Sequence, residues 1–383
     1  MQKKIPCVYM RGGTSKACFF KAEDLPKDQK ERDRQILKVF GSPDKHQING
    51  MGGATPTTSK VAVISRSSRA DADVDYDFGQ VSIDSAMVDR KMNCGNISSA
   101  VGPFAVDEGL VVAKEPITPV RIYNKNTDKM IVSYVPVKSG RFVPEGNYRL
   151  DGVPGTGSKI RLEFCNPQGA VTGVELPTGN AVDTIVIDGK KIEYSFVDAG
   201  NPIAFVEAEQ IGLSGLEIPE EYENLPDIVQ IKRWLEIIRG TCAVTAGLAK
   251  DLEDAKINSP VLPKVICCAK TKPYTGSNGK KVAAEDVDLV ARFISVHGKM
   301  AAAFAVTGGI CTAVAANVPG SIVNRMLESR KSGFTYLRIG HPCGVMEVEA
   351  AVEFQENGSC RVTSCSIGRT ARRIMDGLVY ITE

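Results

Sequence analysis

Cys94-Gly-Asn-Ile-Ser-Ser-Ala-Val-Gly102 is followed, 27 positions after its cysteine, by Arg121 in Val120-Arg-Ile-Tyr123 and then by an apolar run at 130–137. Cys311-Thr-Ala-Val-Ala-Ala-Asn-Val-Pro319 is followed, again 27 positions on, by Arg338 in Leu337-Arg-Ile-Gly340 and then by a run at 346–354. Each copy reads as a cysteine at the start of a small-residue helix, then paired strands. Self-similarity of this kind marks a duplicated architectural unit. It predicts two pseudo-symmetric halves, with a boundary near Leu176-Pro-Thr-Gly-Asn180 and a site at their interface, where ligand pockets commonly form.

Around the repeat, short β-branched runs at 60–65, 183–187, 191–197 and 264–269 are bounded by Gly, Asn, Asp or Pro, the signature of strands joined by turns. Helical spacing is clearest at 225–249, where Ile228, Ile231, Trp234, Leu235 and Ile238 recur on one face, and 287–296 is read as a second helix. Both are expected to pack on the outside of sheets. The reading is α/β, and 383 residues exceed what one hydrophobic core holds.

The 47 basic and 45 acidic side chains leave a net charge of +2, too little for a field that draws in nucleic acid or an anionic membrane. No apolar run reaches the roughly 18 residues that span a bilayer, and Met1-Gln2-Lys3-Lys4-Ile5-Pro6-Cys7 lacks a hydrophobic signal core. A cytoplasmic location is the expectation. Eleven cysteines with no CxxC pair, and three histidines with no zinc-like spacing to them, argue against a disulfide framework or a metal site.

Several segments could carry chemistry. A helix N-terminus offers free N–H groups and partial positive charge, which favours a thiolate and binds carboxylates, so Cys94 is a candidate acid/base or nucleophile. The plain alternative is that Cys94 and Cys311 fill tight helix starts. Arg11-Gly-Gly-Thr-Ser-Lys16 and Gly50-Met-Gly-Gly-Ala-Thr-Pro-Thr-Thr-Ser-Lys60 combine glycines, hydroxyls and cations suited to holding an anion, yet neither matches a P-loop. Lys60 directly precedes Val-Ala-Val-Ile, an apolar strand; an amine desolvated there can act as a base, and a solvated lysine at a strand start is the alternative. His46 and His297 have no visible partner, and His341-Pro-Cys-Gly344 reads as a turn, so all three are weaker candidates.

Taken in order, Met10-Arg-Gly-Gly-Thr-Ser-Lys16, Gly41-Ser-Pro-Asp44, Gln47-Ile-Asn-Gly-Met-Gly-Gly-Ala54, Thr58-Ser-Lys60, Asp73-Val-Asp-Tyr76, Asn93-Cys-Gly-Asn96, Leu176-Pro-Thr-Gly-Asn180, Pro319-Gly-Ser321 and Gly368-Arg-Thr-Ala-Arg372 run the length of the chain. This series resembles the PrpF family of 2-methylaconitate isomerases and its relatives, 4-oxalomesaconate tautomerase and 3-methylitaconate Δ-isomerase. The resemblance implies a diaminopimelate-epimerase-like fold of two pseudo-symmetric α/β domains, each a curled, barrel-like sheet around a central helix. The tail at 375–381 is similar to an epimerase tail that returns as a strand to the first domain. The implied domains are therefore 1–182 with 366–383, and 183–365.

The epimerases face their substrate with one cysteine from each half. Asn93-Cys-Gly-Asn96 is similar to the first, whereas the second resembles Cys-Gly-Thr-Gly, for which this chain offers Cys311-Thr-Ala. The resemblance implies Lys60 and Cys94 as the catalytic pair, with Arg11, Thr14, Ser15, Lys16, Ser59, Gly95, Asn96, Cys311 and Thr312 around the substrate, and with no cofactor and no metal. The implied reaction is an allylic proton shift on a small unsaturated di- or tricarboxylate, with either member of the pair as base. Residues 73–84 and 164–168 are more similar to the 2-methylaconitate enzymes, hence to the methylcitrate route of propionate breakdown. A homo-oligomer is compatible with all of this. Two other classes stand beside it: a cysteine hydrolase, which needs a base beside Cys94, and a non-catalytic carboxylate-binding protein, which has no use for Lys60.

Overall fold

A computed structural model of the chain describes residues 2–295, 298–327, 333–354 and 360–382. His297 lies outside the described residues. Two compact units form, Met1–Phe164 with Gly368–Glu383, and Cys165–Ile367. Residues 165–182, which the sequence grouped with the first half, fall with the second. Backbone bonds from Gly169 to Asp198, Gly200 to Pro167 and Asp198 to Glu175 tie this segment to the strand Lys190–Ala199.

In the first unit the hairpin Gln2–Gly12 and Ser15–Lys21 closes with Gly12 opposite Ser15. Ser15–Lys21 runs parallel to Lys60–Arg66, which pairs antiparallel with Val74–Val81. That strand runs parallel to Ile117–Asn124, which pairs antiparallel with Lys129–Lys138. The last strand, Ala371–Thr382, lies antiparallel to Gln2–Gly12.

Strand alternation gives this sheet two distinct faces. Ile5, Cys7, Cys18, Phe20, Val61 and Val63 meet Ile36, Val39 and Phe40 of the helix Gln29–Phe40. Asp28 caps that helix by accepting from the Glu31 N–H, and Gly41, at φ 69°, ends it. The opposite face meets the helix Gly95–Asp107, where Phe104 packs on Phe19 with ring centroids 5.5 Å apart. That helix is buried at every position except Asn96 and Asp107. A helix apolar and small around its whole circumference must be enclosed, and strands from both ends of the unit's sequence enclose it.

The second unit repeats the order. A hairpin of Lys190–Ala199 and Asn201–Glu207 turns at Gly200, which sits at φ 71°. Asn201–Glu207 runs parallel to Lys264–Ala269, then antiparallel pairing reaches Leu289–Ile294. Parallel pairing leads on to Tyr336–His341, and antiparallel pairing to Gly344–Phe354. The enclosed helix is Val306–Ala316, buried at every position. The outer helix is Ile228–Thr245, whose Ile231, Trp234, Leu235 and Ile238 enter the core beside Ile192, Tyr194 and Val265.

Two sequence expectations are corrected. Residues 287–296 contain the strand Leu289–Ile294 instead of a helix; all six of its side chains are buried, so no alternation was left to reveal its period. Cys311 does not start a helix. Val306–Ala316 begins five residues earlier, capped by Ala305 in an extended conformation, which leaves Cys311 and Thr312 mid-helix at 0% exposure.

The arginine half of the repeat is structural. Arg121 donates its backbone N–H to Asp73 Oδ2 at 2.8 Å and Nη2 to Oδ1 at 2.7 Å. Arg338 does the same to Asp288, at 2.7 and 2.9 Å. Each aspartate returns its own N–H to the arginine carbonyl at 2.8 Å. Both clamps join strands that run parallel. No helix among the described residues is long and apolar enough to cross a membrane.

Candidate active site

Lys60 opens its strand directly opposite Gln80. Its side chain lies on the face that carries Ala62, Phe78 and Tyr76, and residue exposure is 8%. Nζ donates to Gln80 Oε1 at 2.5 Å and stands 5.3 Å from the centroid of the Phe78 ring. Both partners are neutral. Phe78 in turn meets Tyr76, centroids 6.4 Å apart.

Tyr76 leads to Cys94. Burial, and secondarily the Cys94 thiol, push the Tyr76 hydroxyl well above the usual phenol range, and Ser98 lies beside it. Cys94 is the N-cap of Gly95–Asp107, extended at φ −117° and ψ 92°, with a half-buried side chain. Its carbonyl accepts the Ser98 N–H at 2.9 Å and the Ser98 hydroxyl at 3.0 Å. The first-turn N–H groups that follow have no partner within the helix, and the helix dipole adds partial positive charge there.

An asparagine network fixes this cap. Asn124 Nδ2 donates to Asn93 Oδ1 at 2.7 Å, and Asn124 Oδ1 accepts the Asn126 N–H at 2.9 Å. Asn126 exchanges bonds of 2.8 Å with the backbone N–H and carbonyl of Phe78. The residue before Cys94 is thereby tied to the residue beneath the Lys60 amine.

The remaining candidates separate by face. Thr14 and Asn96 come together, Asn96 Nδ2 donating to Thr14 Oγ1 at 3.0 Å, next to Gly95 and Cys94. Ser15 is buried on the sheet face toward this helix. Close approach demands Gly12: a Cβ there would stand 2.5 Å from Asn96 O and 3.1 Å from Ile97 Cα. Arg11 and Lys16 pair across the hairpin on the opposite face, the side of Cys7 and Cys18. Arg11 Nη1 is occupied by Gly13 O, Thr370 O and Thr370 Oγ1, at 2.9, 3.0 and 3.0 Å, while Lys16 Nζ lies 5.6 Å from the Tyr9 ring centroid. Ser59, at 0% exposure, uses its hydroxyl on Gln47 Oε1 at 2.5 Å.

Cys311 and Thr312 are spent inside the second unit. Burial pushes the Cys311 thiol well above its usual range, and Sγ donates to Val197 O at 3.4 Å. Thr312 Oγ1 donates to Gly308 O at 2.7 Å. The counterpart of the Cys94 position is Ala305, in Ala305-Val-Thr-Gly308. There Asn201 Nδ2 donates to Thr307 Oγ1 at 3.1 Å, mirroring the Asn96 and Thr14 bond with the two residue types exchanged. Among the described residues, no three His, Cys, Asp or Glu side chains converge to hold a metal.

Two units of this topology, each a sheet enclosing a helix, form the racemase and epimerase fold. A hydroxyproline epimerase from Agrobacterium vitis shares it, with a TM-score of 0.55 at 12% identity over 99% of this chain and 93% of its own. The chain belongs to the PrpF family, whose model, described as PrpF protein, matches residues 2–382. It is 44% identical to a 3-methylitaconate isomerase of Eubacterium barkeri, over 100% of this chain and 98% of that one. It is 39% identical to a 2-methyl-aconitate isomerase of Shewanella oneidensis, with the same coverage. A crystal structure of methylitaconate-delta-isomerase superposes with a TM-score of 0.82 at 44% identity, covering 99% and 96% of the two chains. The chain is an isomerase of this family.

Proposed function

We propose that this isomerase shifts a proton along a small unsaturated polycarboxylate, with Lys60 and Cys94 as its acid/base pair and no cofactor. One observation carries the reading: a single sheet face runs from the Lys60 amine over Phe78 to Tyr76, whose buried hydroxyl feels the thiol of Cys94, the N-cap residue of the enclosed helix. One group takes a proton from the carbon next to a C=C–carboxylate system, giving a dienolate, and the other returns a proton at the far carbon. The first-turn N–H groups after Cys94 offset the negative charge that gathers on the substrate carboxylate. A proton shift of this kind needs one base, one acid and a donor array, and this reading assigns them to Lys60, Cys94 and the first-turn N–H groups that follow Cys94.

2-Methylaconitate, an intermediate of the methylcitrate route of propionate breakdown, is the substrate favoured by the motif resemblance. The 44% identity to the E. barkeri enzyme favours a second reading, 3-methylitaconate. Asp73 and Asp77, in the segment that suggested the first, are engaged with Arg121 and with Arg32 and Arg90, so they serve the fold.

The test is solvent deuterium incorporation and ultraviolet change on 2-methylaconitate, 3-methylitaconate and 4-oxalomesaconate. Removing either proton-transfer group should lower kcat by about 10²–10⁴-fold in Lys60→Ala and Cys94→Ser. Near wild-type turnover in Cys94→Ser, with substrate bound normally, removes Cys94 from the pair, and the same outcome in Lys60→Ala removes Lys60. Failure on all three substrates sinks the substrate class.

A further inference from the structure

We propose that Gln80 is a positioning residue for the Lys60 amine: it fixes Nζ in place through an uncharged acceptor. The inference rests on the reading of Lys60 as a proton-transfer group, but its geometry stands independently. Gln80 faces Lys60 across the antiparallel pair Lys60–Arg66 and Val74–Val81. Its Nε2 donates to Ser59 O at 2.8 Å and to Pro56 O at 3.2 Å. Both are carbonyl oxygens, so the opposite orientation of the amide would set oxygen against oxygen. Oε1 must therefore face the amine, and it does, at 2.5 Å.

The chemistry of that acceptor matters. A carboxylate at this distance would hold the lysine as an ammonium, because an opposite charge within a few ångströms favours the charged form. An amide oxygen accepts one N–H from either form. When the amine is neutral, donating one N–H to Oε1 fixes its rotation about Cε–Nζ and aims the lone pair away from Gln80. Phe78, with its ring centroid 5.3 Å from Nζ, limits the other side. Because Pro56 and Ser59 belong to the glycine-rich segment before Lys60, Gln80 also secures the backbone that delivers the lysine.

The experiment titrates Lys60 in full-length protein labelled with ¹³C at lysine Cε, the resonance being assigned by its loss in Lys60→Arg. Gln80→Glu is expected to raise the Lys60 titration midpoint by about one to three pH units, and Gln80→Met to lower it by about one. On whichever of 2-methylaconitate and 3-methylitaconate the wild type turns over, the acid limb of the kcat profile should move the same way. Gln80→Met should lower kcat about 10–100-fold with KM within about twofold. Should Gln80→Glu not fold, as judged by circular dichroism, the Met variant decides alone. Midpoints that stay at the wild-type value in every folded variant overturn the proposal, since a purely structural role lowers stability without moving a titration. Unchanged turnover in Lys60→Ala instead overturns the catalytic reading, and the titration still reports on Gln80.

Discussion

Cys94 and Cys311 carry the same side chain in opposite surroundings. Cys94 caps a helix with its thiol half-buried, whereas Cys311 sits mid-helix at 0% exposure, its thiol raised by burial and directed at Val197 O. Cys311→Ala removes a small buried group, so it should cost about 1 kcal/mol in denaturant unfolding and leave kcat within about twofold. A loss of turnover on the scale of Cys94→Ser would contradict this. A lysine before an apolar run and a cysteine before small residues are local patterns, and they fall where such patterns should, Lys60 at a strand start and Cys94 at a helix N-cap, whereas their pairing came from the family resemblance alone. Gln80 was not legible. Its role depends on pairing two strands twenty residues apart in one register, and nothing in Gly-Gln-Val names its partner. The face of Arg11 and Lys16 was hidden for the same reason: only the hairpin shows them on the side away from the helix.

At the scale of elements, the contact between the first hairpin and the enclosed helix sets the position of Cys94. A β-carbon on Gly12 would press on the backbone of Asn96 and Ile97, and backbone cannot swing aside as a side chain can. Gly12→Ala should therefore cost about 1–3 kcal/mol and lower kcat together with stability, read by a thermal melt and a turnover assay on the same sample. An unchanged melt would show the helix start free to shift. The strands at 183–187 and 264–269 were legible to the residue, since Gly, Asp and Pro bound them closely. Leu289–Ile294 was not. Its Leu-Val-Ala-Arg-Phe-Ile is buried on both faces, and Arg292 supports this at 0% exposure by donating Nε to Glu217 O at 2.6 Å and standing 5.0 Å from the Tyr274 ring centroid. A charged residue in such a run imitates the polar stripe of a helix.

At the scale of the whole molecule, duplication was legible through Arg121 and Arg338, but the cysteine half of the repeat was a coincidence of spacing. From helix cap to arginine the first unit takes 27 residues and the second, counted from Ala305, takes 33, so only the clamps are equivalent. Equivalent clamps should matter equally. Asp73→Asn and Asp288→Asn each lose the charged acceptor for a guanidinium and weaken the bond to the arginine N–H. Each should lower stability by about 1–2 kcal/mol, matched within a factor of two, with kcat unchanged. Acid gives an internal control for the first. Burial alone would raise the Asp73 carboxyl, but bonds from the Arg121 guanidinium and N–H outweigh it and hold the group below the usual carboxylate range. A depressed folded-state value means stability that is complete above the unfolded-state value of about 3.9 and is lost as pH falls through the folded-state value. The gap between wild type and Asp73→Asn should thus be full at pH 6 and close progressively below pH 4. Denaturant curves at pH 6, 4 and 3 measure it, and a gap that persists undiminished at pH 3 would mean that the clamp acts through shape and not through charge.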